Sequence, residues 1–173
     1  MTTSVDQAPP LAAMPQPTAQ FMLRHPAHII AFSGGAGLVP VAPGTFGTLL
    51  AFPLYDWLAP HFINWQFPGL LAALFMLGIW ACDRTGRALG ASDHGAMVWD
   101  ETIAFMAVLF FTPAGWGWQV SAFLLFRFFD IAKPAPIRYF DRKWKNGFGV
   151  MFDDLLAAGY TLLALALAKT FAG

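Results

Sequence analysis

Half of the charged residues in this chain fall within one short stretch that separates two strongly apolar regions. The stretch runs from Phe126 to Asp154 and holds ten of the twenty Asp, Glu, Lys and Arg residues in the 173-residue sequence. Moving a charged side chain out of water costs free energy unless the charge is paired or bound to a metal. In a chain that is 57% hydrophobic and 12% charged, such clustering indicates a functional site. A solvated loop between hydrophobic helices is the alternative interpretation.

The low charge content predicts an apolar helical bundle that associates with a membrane, because an ordinary soluble domain is roughly 25% charged. The chain is long enough for one domain with a sizeable core. Its formal net charge is zero, so no general attraction to nucleic acid is expected. A single cysteine, Cys82, excludes an intramolecular disulfide and a cysteine-based zinc site.

The N-terminal region differs in composition from the rest of the chain. Four prolines fall between residues 9 and 17 among small and polar residues, which predicts a disordered tail over residues 1–24 and a helical domain over residues 25–173. A short helix is expected near Phe21. Residues 1–20 lack a basic segment followed by an apolar one, so we expect no signal peptide and a protein that stays on the cytoplasmic side.

A glycine-rich segment, GGAGLVPVAPGTFGTL at residues 34–49, does not fit the nucleotide-binding motifs. A phosphate-binding P-loop needs Lys before Ser or Thr, and a dinucleotide fingerprint needs a third glycine where Pro40 stands. The pair Cys82 and Arg87 is likewise one residue too close for the loop of a cysteine phosphatase, and it lies in a predicted helix.

The same glycine-rich segment predicts the start of an apolar helix that ends near Ala59, with Thr45 as its N-cap. Free N–H groups and the helix dipole bind anions at such a terminus. Thr45 and Thr48 are therefore candidate phosphate ligands. A helix cap with close backbone packing is the alternative interpretation of these residues.

Apolar runs predict a long helix and a helical hairpin. The long helix should cover Phe67 to Leu89 and end before Gly90. The run from Thr102 to Phe126 contains Pro113 and two glycines near its middle, which predicts two helices and a break. The hairpin would bring Arg127, at the start of the charged stretch, back to the end of the bundle at which Glu101 lies.

The C-terminal part should hold a short helix, a turn and a final apolar helix. Pro134 and Pro136 stop the preceding helix, residues 137–145 suit a short helix, and residues 146–149 suit a turn. The final helix is predicted from Leu155 to Thr170. Since it is apolar all round and about 24 Å long, it is either the central helix of the bundle or a membrane anchor.

Acidic residues flank the apolar segments at several places. Asp93 is predicted to cap a helix that carries Asp100 and Glu101, and Asp153 and Asp154 are predicted to open the final helix. Carboxylates without soft ligands suit a hard cation, Mg²⁺ above all, which completes its shell with water and phosphate oxygens. Nearby Lys and Arg side chains would neutralise phosphate charge. The pattern therefore indicates phosphoryl chemistry on an anionic substrate with apolar chains.

Several other phosphoryl-transfer designs are excluded by motif. The D-x-D-x-T signature of aspartyl-phosphate enzymes is absent, and so are the paired histidines of the histidine-dependent lipid phosphatases. The CDP-alcohol transferases space their aspartates as D-x-x-x-D, whereas Asp153 and Asp154 are adjacent.

Four segments in order resemble one known family, phosphatidylglycerophosphatase A, a group of magnesium-dependent enzymes of bacterial phosphatidylglycerol synthesis. The resemblance covers residues 28–159 and rests on GGAGLVPVAPGTFGTL, DHGAMVWDE, FRFFDIAKPAPIRYFD and GFGVMFDD. It implies a small all-α protein, a single bundle of about six helices around a central hydrophobic helix. The implied reaction is hydrolysis of phosphatidylglycerophosphate to phosphatidylglycerol and phosphate at the cytoplasmic face of the bacterial inner membrane.

The resemblance also implies an acidic site made of Asp100, Glu101, Asp130, Asp153 and Asp154, and the roles within it are our own inference. Asp100, Asp130 and Asp154 are expected to touch Mg²⁺, directly or through water. Glu101 or Asp153 would act as the base that orients the attacking water. Lys133 and Arg138 are expected to bind phosphate oxygens. His94 is expected to protonate the leaving alkoxide. No covalent intermediate is expected.

Two other functions fit the residues less well. One is a non-enzymatic small membrane protein whose charges form structural ion pairs, and the other is a relative that acts on a soluble phosphomonoester. The oligomeric state is left open by the sequence.

Overall fold

The structure is a computed structural model that describes residues 17–172, and the chain is helical throughout this range apart from its connections. The predicted all-α class is confirmed. Five of the α-helices have at least thirteen residues, and two short 3-10 helices, Ser33–Leu38 and Ala59–His61, flank the first of these five. The α-helices are α1 (Ala19–Met22), α2 (Pro26–Ala31), α3 (Pro43–Leu58), α4 (Gln66–Leu89), α5 (Trp99–Phe111), α6 (Trp116–Ala132), α7 (Ile137–Lys143) and α8 (Gly147–Ala172).

Helix α8 lies at the centre of the bundle and contacts α4, α5, α6 and α7. Its apolar residues are distributed on all sides. The neighbouring helices bury many of those up to Leu165, whereas residues 166–171 are exposed. The prediction of a central hydrophobic helix is therefore confirmed.

The start of α8 differs from the prediction. The helix begins at Gly147 rather than at Leu155, so residues 147–149 belong to its first turn and not to a separate turn. A Cβ at Gly147 would lie 2.1 Å from the Ile79 carbonyl oxygen, and one at Gly149 would lie 1.8 Å from that of Trp144. The glycines thus permit close helix packing. Asp153 and Asp154 lie almost two turns into the helix, beyond reach of its N-terminal dipole.

Helix α3 packs closely on α5, and its start also corrects a prediction. Ala42, with φ of 49°, precedes the helix and Pro43 opens it, the position that proline favours. Thr45 therefore lies inside the first turn and is not the N-cap. The buried Thr102 hydroxyl of α5 lies 3.0 Å from the Gly47 carbonyl oxygen, which joins the two helices.

The long helix and the helical hairpin are confirmed. Helix α4 ends at Leu89 and is capped by Gly90 with φ of 71°, and α5 and α6 are separated by residues 112–115. Helix α5 begins later than predicted. Its N-cap is Val98, so Asp93 lies in the preceding loop and does not cap it.

The folded part of the chain begins before residue 25. Residues 1–16 of the predicted tail lie outside the described range. Helix α1 follows directly, capped by the Thr18 hydroxyl, which accepts from the Phe21 N–H at 3.2 Å. The Phe21 ring stacks on His28 with ring centroids 4.5 Å apart. The described residues 17–24 are thus attached to the bundle.

The bundle has a polar end and an aromatic end, as expected of a membrane-associated protein. Two helices, Gln66–Leu89 and Gly147–Phe171, are long and apolar enough to cross a membrane, at about 36 Å for 24 residues against a hydrocarbon core of about 30 Å. Trp57, Trp65 and Trp116 are 67%, 80% and 79% exposed at helix termini remote from the charged stretch. Tryptophan is enriched at membrane interfaces.

A carboxylate cluster with a central arginine

Three carboxylates from three helices meet at the polar end of the bundle. Glu101 of α5, Asp130 of α6 and Asp154 of α8 each place one oxygen within 4.8 Å of the other two. Asp154 is buried and the other two are partly buried. The antiparallel α5–α6 hairpin brings Glu101 and Asp130 to the same end, and the central helix supplies the third acid. Residues 53 positions apart in sequence thus share one small volume.

Arg127 lies between two of these acids. Its Nη1 donates to Glu101 Oε1 at 2.9 Å and lies 2.8 Å from Asp130 Oδ2. Asp130 follows Arg127 by three residues on α6, the spacing that places two side chains on one helical face. All three side chains are at most 15% exposed. The arginine therefore offsets part of the repulsion among carboxylates in a place where water screens poorly.

The glycine-rich start of α3 forms one wall of this cluster. A Cβ at Gly44 would lie 1.9 Å from Glu101 Oε1, and one at Gly47 would lie 2.7 Å from Val98 Cβ. Glycine at both positions lets α3 approach α5 closely enough to cover the Glu101 carboxylate. Of the alternative interpretation of this segment, a helix cap with close backbone packing, the packing is confirmed and the Thr45 cap is wrong.

Thr48 contacts the arginine from the same wall. Its fully buried hydroxyl donates to the Gly44 carbonyl oxygen at 2.9 Å and accepts from Arg127 Nη1 at 3.3 Å. Thr45 is half-buried in the first turn of α3. Their predicted phosphate contacts stay predictions.

Unsatisfied polar atoms surround the cluster. Asp100 Oδ1, Glu101 Oε2, Asp154 Oδ2 and Arg127 Nε are buried and have no hydrogen-bond partner among the described residues. Leaving such an atom unpaired costs about 1–3 kcal/mol, and more when it is charged. Three of the four belong to Glu101, Asp154 and the Arg127 that contacts the cluster, which indicates a position there for water, a cation or a substrate group.

The electrostatics of α5 agree with this conclusion. Burial raises the pKa of Glu101 from 4.5 to about 8, although the Arg127 guanidinium opposes the shift. Burial also raises the pKa of Asp100 well above its usual value, and the charge of Glu101 adds to the effect. Both carboxylates would ionise more readily beside an additional positive charge.

The cluster fits one hard divalent cation. Mg²⁺ binds oxygens at about 2.1 Å, so ligands on opposite sides of the ion are about 4.2 Å apart, close to the separation limit of 4.8 Å among the three acids. The ligand atoms are all carboxylate oxygens, which suit Mg²⁺ better than softer metals. Glu101, Asp130 and Asp154 could therefore hold the ion.

A second ion-pair network lies next to the cluster and joins the end of α6 to α7 and α8. Lys133 Nζ donates to Asp153 Oδ2 at 2.5 Å and to Asp141 Oδ1 at 3.0 Å. Asp153 Oδ1 accepts from the Asp154 N–H at 3.1 Å. Burial disfavours the charged lysine, yet Asp153 and Asp141 raise the pKa of Lys133 above its usual value. Both oxygens of Asp153 are thus engaged, one of them by a cation.

The remaining predicted residues lie around this core. Asp100 precedes Glu101 and lies outside the three-acid group. Arg138 is exposed and donates to the Ala132 carbonyl oxygen at 3.2 Å. His94 is buried, its Nδ1 accepts from the Ala96 N–H at 3.1 Å, and burial lowers its pKa, which favours a neutral ring at pH 7. The roles assigned to these three residues stay predictions.

Comparison with known proteins identifies the family. The family model for phosphatidylglycerophosphatase A matches residues 29–169. This chain belongs to the phosphatidylglycerophosphatase A family. It is 43% identical over 150 residues to a Haemophilus influenzae protein of that name, covering 86% of this chain and 92% of the relative. It is 38% identical over 141 residues to the Escherichia coli protein of the same name, covering 80% and 81%.

A third relative carries a different name. A Bacteroides thetaiotaomicron protein is 36% identical over 148 residues, which is 80% of this chain and 91% of the relative. Its name gives phosphatidylinositol-3-phosphatase activity as a provisional assignment. No solved structure is significantly similar to the chain.

Proposed function

We propose that this protein hydrolyses phosphatidylglycerophosphate to phosphatidylglycerol and inorganic phosphate. Membership of the phosphatidylglycerophosphatase A family supports the reaction, and two relatives that carry the name are covered over more than four fifths of their length. The observation that carries the proposal is the group Glu101, Asp130 and Asp154 with buried oxygens that lack partners. A structural ion-pair network would have no reason to leave these oxygens unpaired.

Mg²⁺ is the cation that this ligand set favours, and Glu101, Asp130 and Asp154 would hold it. When bound, it would polarise a phosphate oxygen and offset charge that develops in the transition state. Two of these residues carry the metal role that the sequence predicted. Glu101 takes the place expected for Asp100, since it lies in the three-acid group and Asp100 does not.

The other residues would bind substrate and move protons. Asp100 has a buried oxygen without a partner, so it would accept a proton from the attacking water as the P–O bond to the glycerol oxygen breaks. Arg127 and Lys133 would contact the phosphate oxygens that face the lipid head group. His94 is the predicted proton donor to the leaving alkoxide. Asp153 is held by Lys133 and would orient that lysine.

The proposed location is the bacterial inner membrane, with the polar end facing the cytoplasm. An anionic phospholipid is then the substrate, and its phosphate reaches the acidic cluster from the membrane surface. The apolar helices and the exposed tryptophans at the opposite end of the bundle support a membrane location.

The decisive experiment measures phosphate release by purified protein from phosphatidylglycerophosphate in detergent micelles, with Mg²⁺ and with a chelator. We expect Mg²⁺-dependent release, and loss of at least a hundredfold in kcat for Asp130→Asn and Glu101→Gln. Wild-type activity in both variants would refute the site assignment.

Matched substrates separate the alternatives. Phosphatidylinositol 3-phosphate tests the head group that the Bacteroides relative's name suggests, and glycerol 3-phosphate tests a soluble phosphomonoester. A preference for either would replace the proposed substrate. An absence of Mg²⁺-dependent release from all three would favour a non-enzymatic membrane protein.

A further inference from the structure

We propose that Thr48 is a positioning residue that orients Arg127 toward the phosphate of the substrate and acts through the arginine without touching the substrate itself. This inference rests on the proposed function, in which Arg127 contacts phosphate oxygens, and extends it to the side chain that aims the guanidinium. Thr48 lies on α3 and Arg127 on α6. They are 79 residues apart in sequence, and their side chains meet at 3.3 Å.

The Thr48 hydroxyl can serve the arginine only as an acceptor. A hydroxyl has one proton and two lone pairs, and the proton of Thr48 is donated to the Gly44 carbonyl oxygen at 2.9 Å. Threonine forms this bond to the carbonyl four residues earlier readily in helices. Because the side chain is fully buried, water does not compete for the lone pairs. The hydroxyl oxygen is therefore a fixed acceptor for the donor that approaches from α6.

The same bond disfavours a direct contact between Thr48 and phosphate. Phosphate oxygens accept hydrogen bonds, so a side chain that binds them must bring a free donor. The only hydroxyl proton of Thr48 is committed to Gly44, and the side chain is not exposed to solvent. In the proposed arrangement the phosphate contact is made by Arg127, and Thr48 supports it.

Two hydrogen bonds of one nitrogen define the orientation of the guanidinium. Arg127 Nη1 donates to Glu101 Oε1 at 2.9 Å and to Thr48 Oγ1 at 3.3 Å. The guanidinium is planar, and its N–H bonds lie in that plane. Two acceptors on different helices, α5 and α3, therefore restrict a rotation of the plane that a single acceptor would leave free.

The other end of the guanidinium is left for a ligand. Within residues 17–172, Arg127 Nη2 makes no hydrogen bond and is not one of the buried polar atoms without a partner, so solvent reaches it. With Nη1 held from two sides, Nη2 points in one direction rather than several. An oriented donor suits a phosphate oxygen, because arginine recognises phosphate through geometry as well as charge.

A neutral acceptor suits a place that already holds three acids. One oxygen from each of Glu101, Asp130 and Asp154 lies within 4.8 Å of the other two. A fourth carboxylate beside Arg127 would add to their repulsion where water screens poorly. The Thr48 hydroxyl orients the arginine without adding charge.

The segment that carries Thr48 is itself fixed to α5. The Thr102 hydroxyl of α5 lies 3.0 Å from the Gly47 carbonyl oxygen. Gly44, which holds the Thr48 proton, lies against the Glu101 carboxylate, since a Cβ there would be 1.9 Å from Oε1. The start of α3 is thus held next to the acids, and the Thr48 oxygen is held with it.

The test removes one hydroxyl and keeps the shape of the side chain. Thr48→Val leaves Arg127 Nη1 with one acceptor fewer. Its kcat for Mg²⁺-dependent phosphate release should fall by about tenfold or more, the factor that corresponds to a hydrogen bond to a charged group. Thr48→Ser keeps the hydroxyl and should recover most of this loss. A Thr48→Ser variant as slow as Thr48→Val would overturn the proposal.

Thr161→Val is the matched control. Thr161 is also fully buried in a helix, and its hydroxyl donates at 2.8 Å to the carbonyl oxygen of Ala157, four residues earlier. In the described part of the chain its side chain makes no other hydrogen bond. The variant therefore removes the same kind of bond without affecting Arg127, and its kcat should equal that of the wild type. Equal losses of kcat in Thr161→Val and Thr48→Val would contradict the positioning role.

Dependence on the arginine separates positioning from direct contact. A lysine ammonium is a point charge with no plane to orient. In an Arg127→Lys background, Thr48→Val should therefore lower kcat by less than about threefold, because the two residues act as one unit. The same fold loss of kcat in both backgrounds would show that Thr48 acts independently of Arg127 and would overturn the proposal.

A stability measurement without turnover keeps this inference separate from the proposed function. Thr48→Val should lower the melting temperature of the full chain in detergent, and the decrease should be about half as large or less in an Arg127→Met background, where the donor is gone. Thr161→Val should give the same decrease in both backgrounds. Absence of phosphate release beside this coupling would refute the proposed function alone, and normal activity without the coupling would refute the role of Thr48.

Discussion

Gly44→Ala is a change of one methyl group that should leave the fold intact and disable the site. The new Cβ would lie 1.9 Å from Glu101 Oε1, whereas ordinary van der Waals contact begins at 3.4 Å. The carboxylate must therefore withdraw by about 1.5 Å, the difference between these two distances. Such a movement lengthens its 2.9 Å contact with Arg127 and separates it from the other two acids.

The expected loss is large in activity and small in stability. A misplacement of about 1 Å can cost about a hundredfold in rate, so kcat for Mg²⁺-dependent phosphate release should fall at least that much. The Glu101 carboxylate is the end of a flexible side chain, and alanine is favoured over glycine in a helix by about 0.5–1 kcal/mol. The melting temperature in detergent should therefore change by no more than about 4 °C.

Two further variants make the reasoning specific. Gly69→Ala is the same change in helix α4 at a position where a Cβ would meet nothing within 4 Å, and it should retain wild-type kcat. Glu101→Asp shortens the acid by one methylene and so makes room for the new Cβ. The kcat of the double variant Gly44→Ala with Glu101→Asp should therefore be at least tenfold higher than that of Gly44→Ala alone. A kcat for Gly44→Ala within threefold of wild type would show that the position of Glu101 is not what this glycine protects.

Three other predictions address charge, pH and the N-terminal segment. Arg127→Met leaves two carboxylates without their partner, which should cost about 3–5 kcal/mol. The melting temperature of metal-free protein at pH 8 should therefore fall by about 6–20 °C. The melting temperature of Arg127→Lys should fall by less than half as much, and equal melting temperatures for Arg127→Met and wild type would contradict the role of the arginine. Because burial raises the pKa of Glu101 from 4.5 to about 8, its contribution to the stability of metal-free protein is full below pH 4.5 and is lost as the pH rises through about 8. Mg²⁺ competes with this proton, so Mg²⁺ affinity measured by calorimetry should rise up to about pH 8 and then level off; a flat profile would exclude Glu101 as a ligand. Deletion of residues 1–16 should leave the melting temperature and kcat unchanged. A lower melting temperature or a lower kcat would show that this segment contributes to stability or to catalysis.

The sequence by itself determined the helical class and the family, and it predicted that the acidic residues gather at one end of the bundle. Apolar runs interrupted by Gly90 and Pro113 placed α4 and the α5–α6 hairpin correctly, since these breakers act through local backbone sterics. The charged stretch predicted the candidate site because charge in an apolar chain requires a partner. The hairpin alone predicted that Glu101 and Asp130 would lie on one side.

Local signals were wrong where a distant helix decides the conformation. Asn146 and the glycines after it indicate a turn, yet Gly147 begins α8, where α4 approaches too closely for a side chain. Thr45 and Asp93 are good N-caps by residue type, but α3 and α5 begin where their packing partners allow. Such contacts join residues far apart in sequence, so no local pattern contains them.

The tertiary structure alone decided which charges are partners. Arg127 contacts Glu101 across a gap of 26 residues, and Lys133 selects Asp153 from the adjacent pair Asp153 and Asp154. The direction in which each acidic side chain faces depends on how its helix is rotated about its own axis. Packing on the neighbouring helices fixes that rotation, and composition does not. The sequence supplied the acids, and the arrangement of the helices in space left Asp154 free of a cation in the described part of the chain and available to bind one.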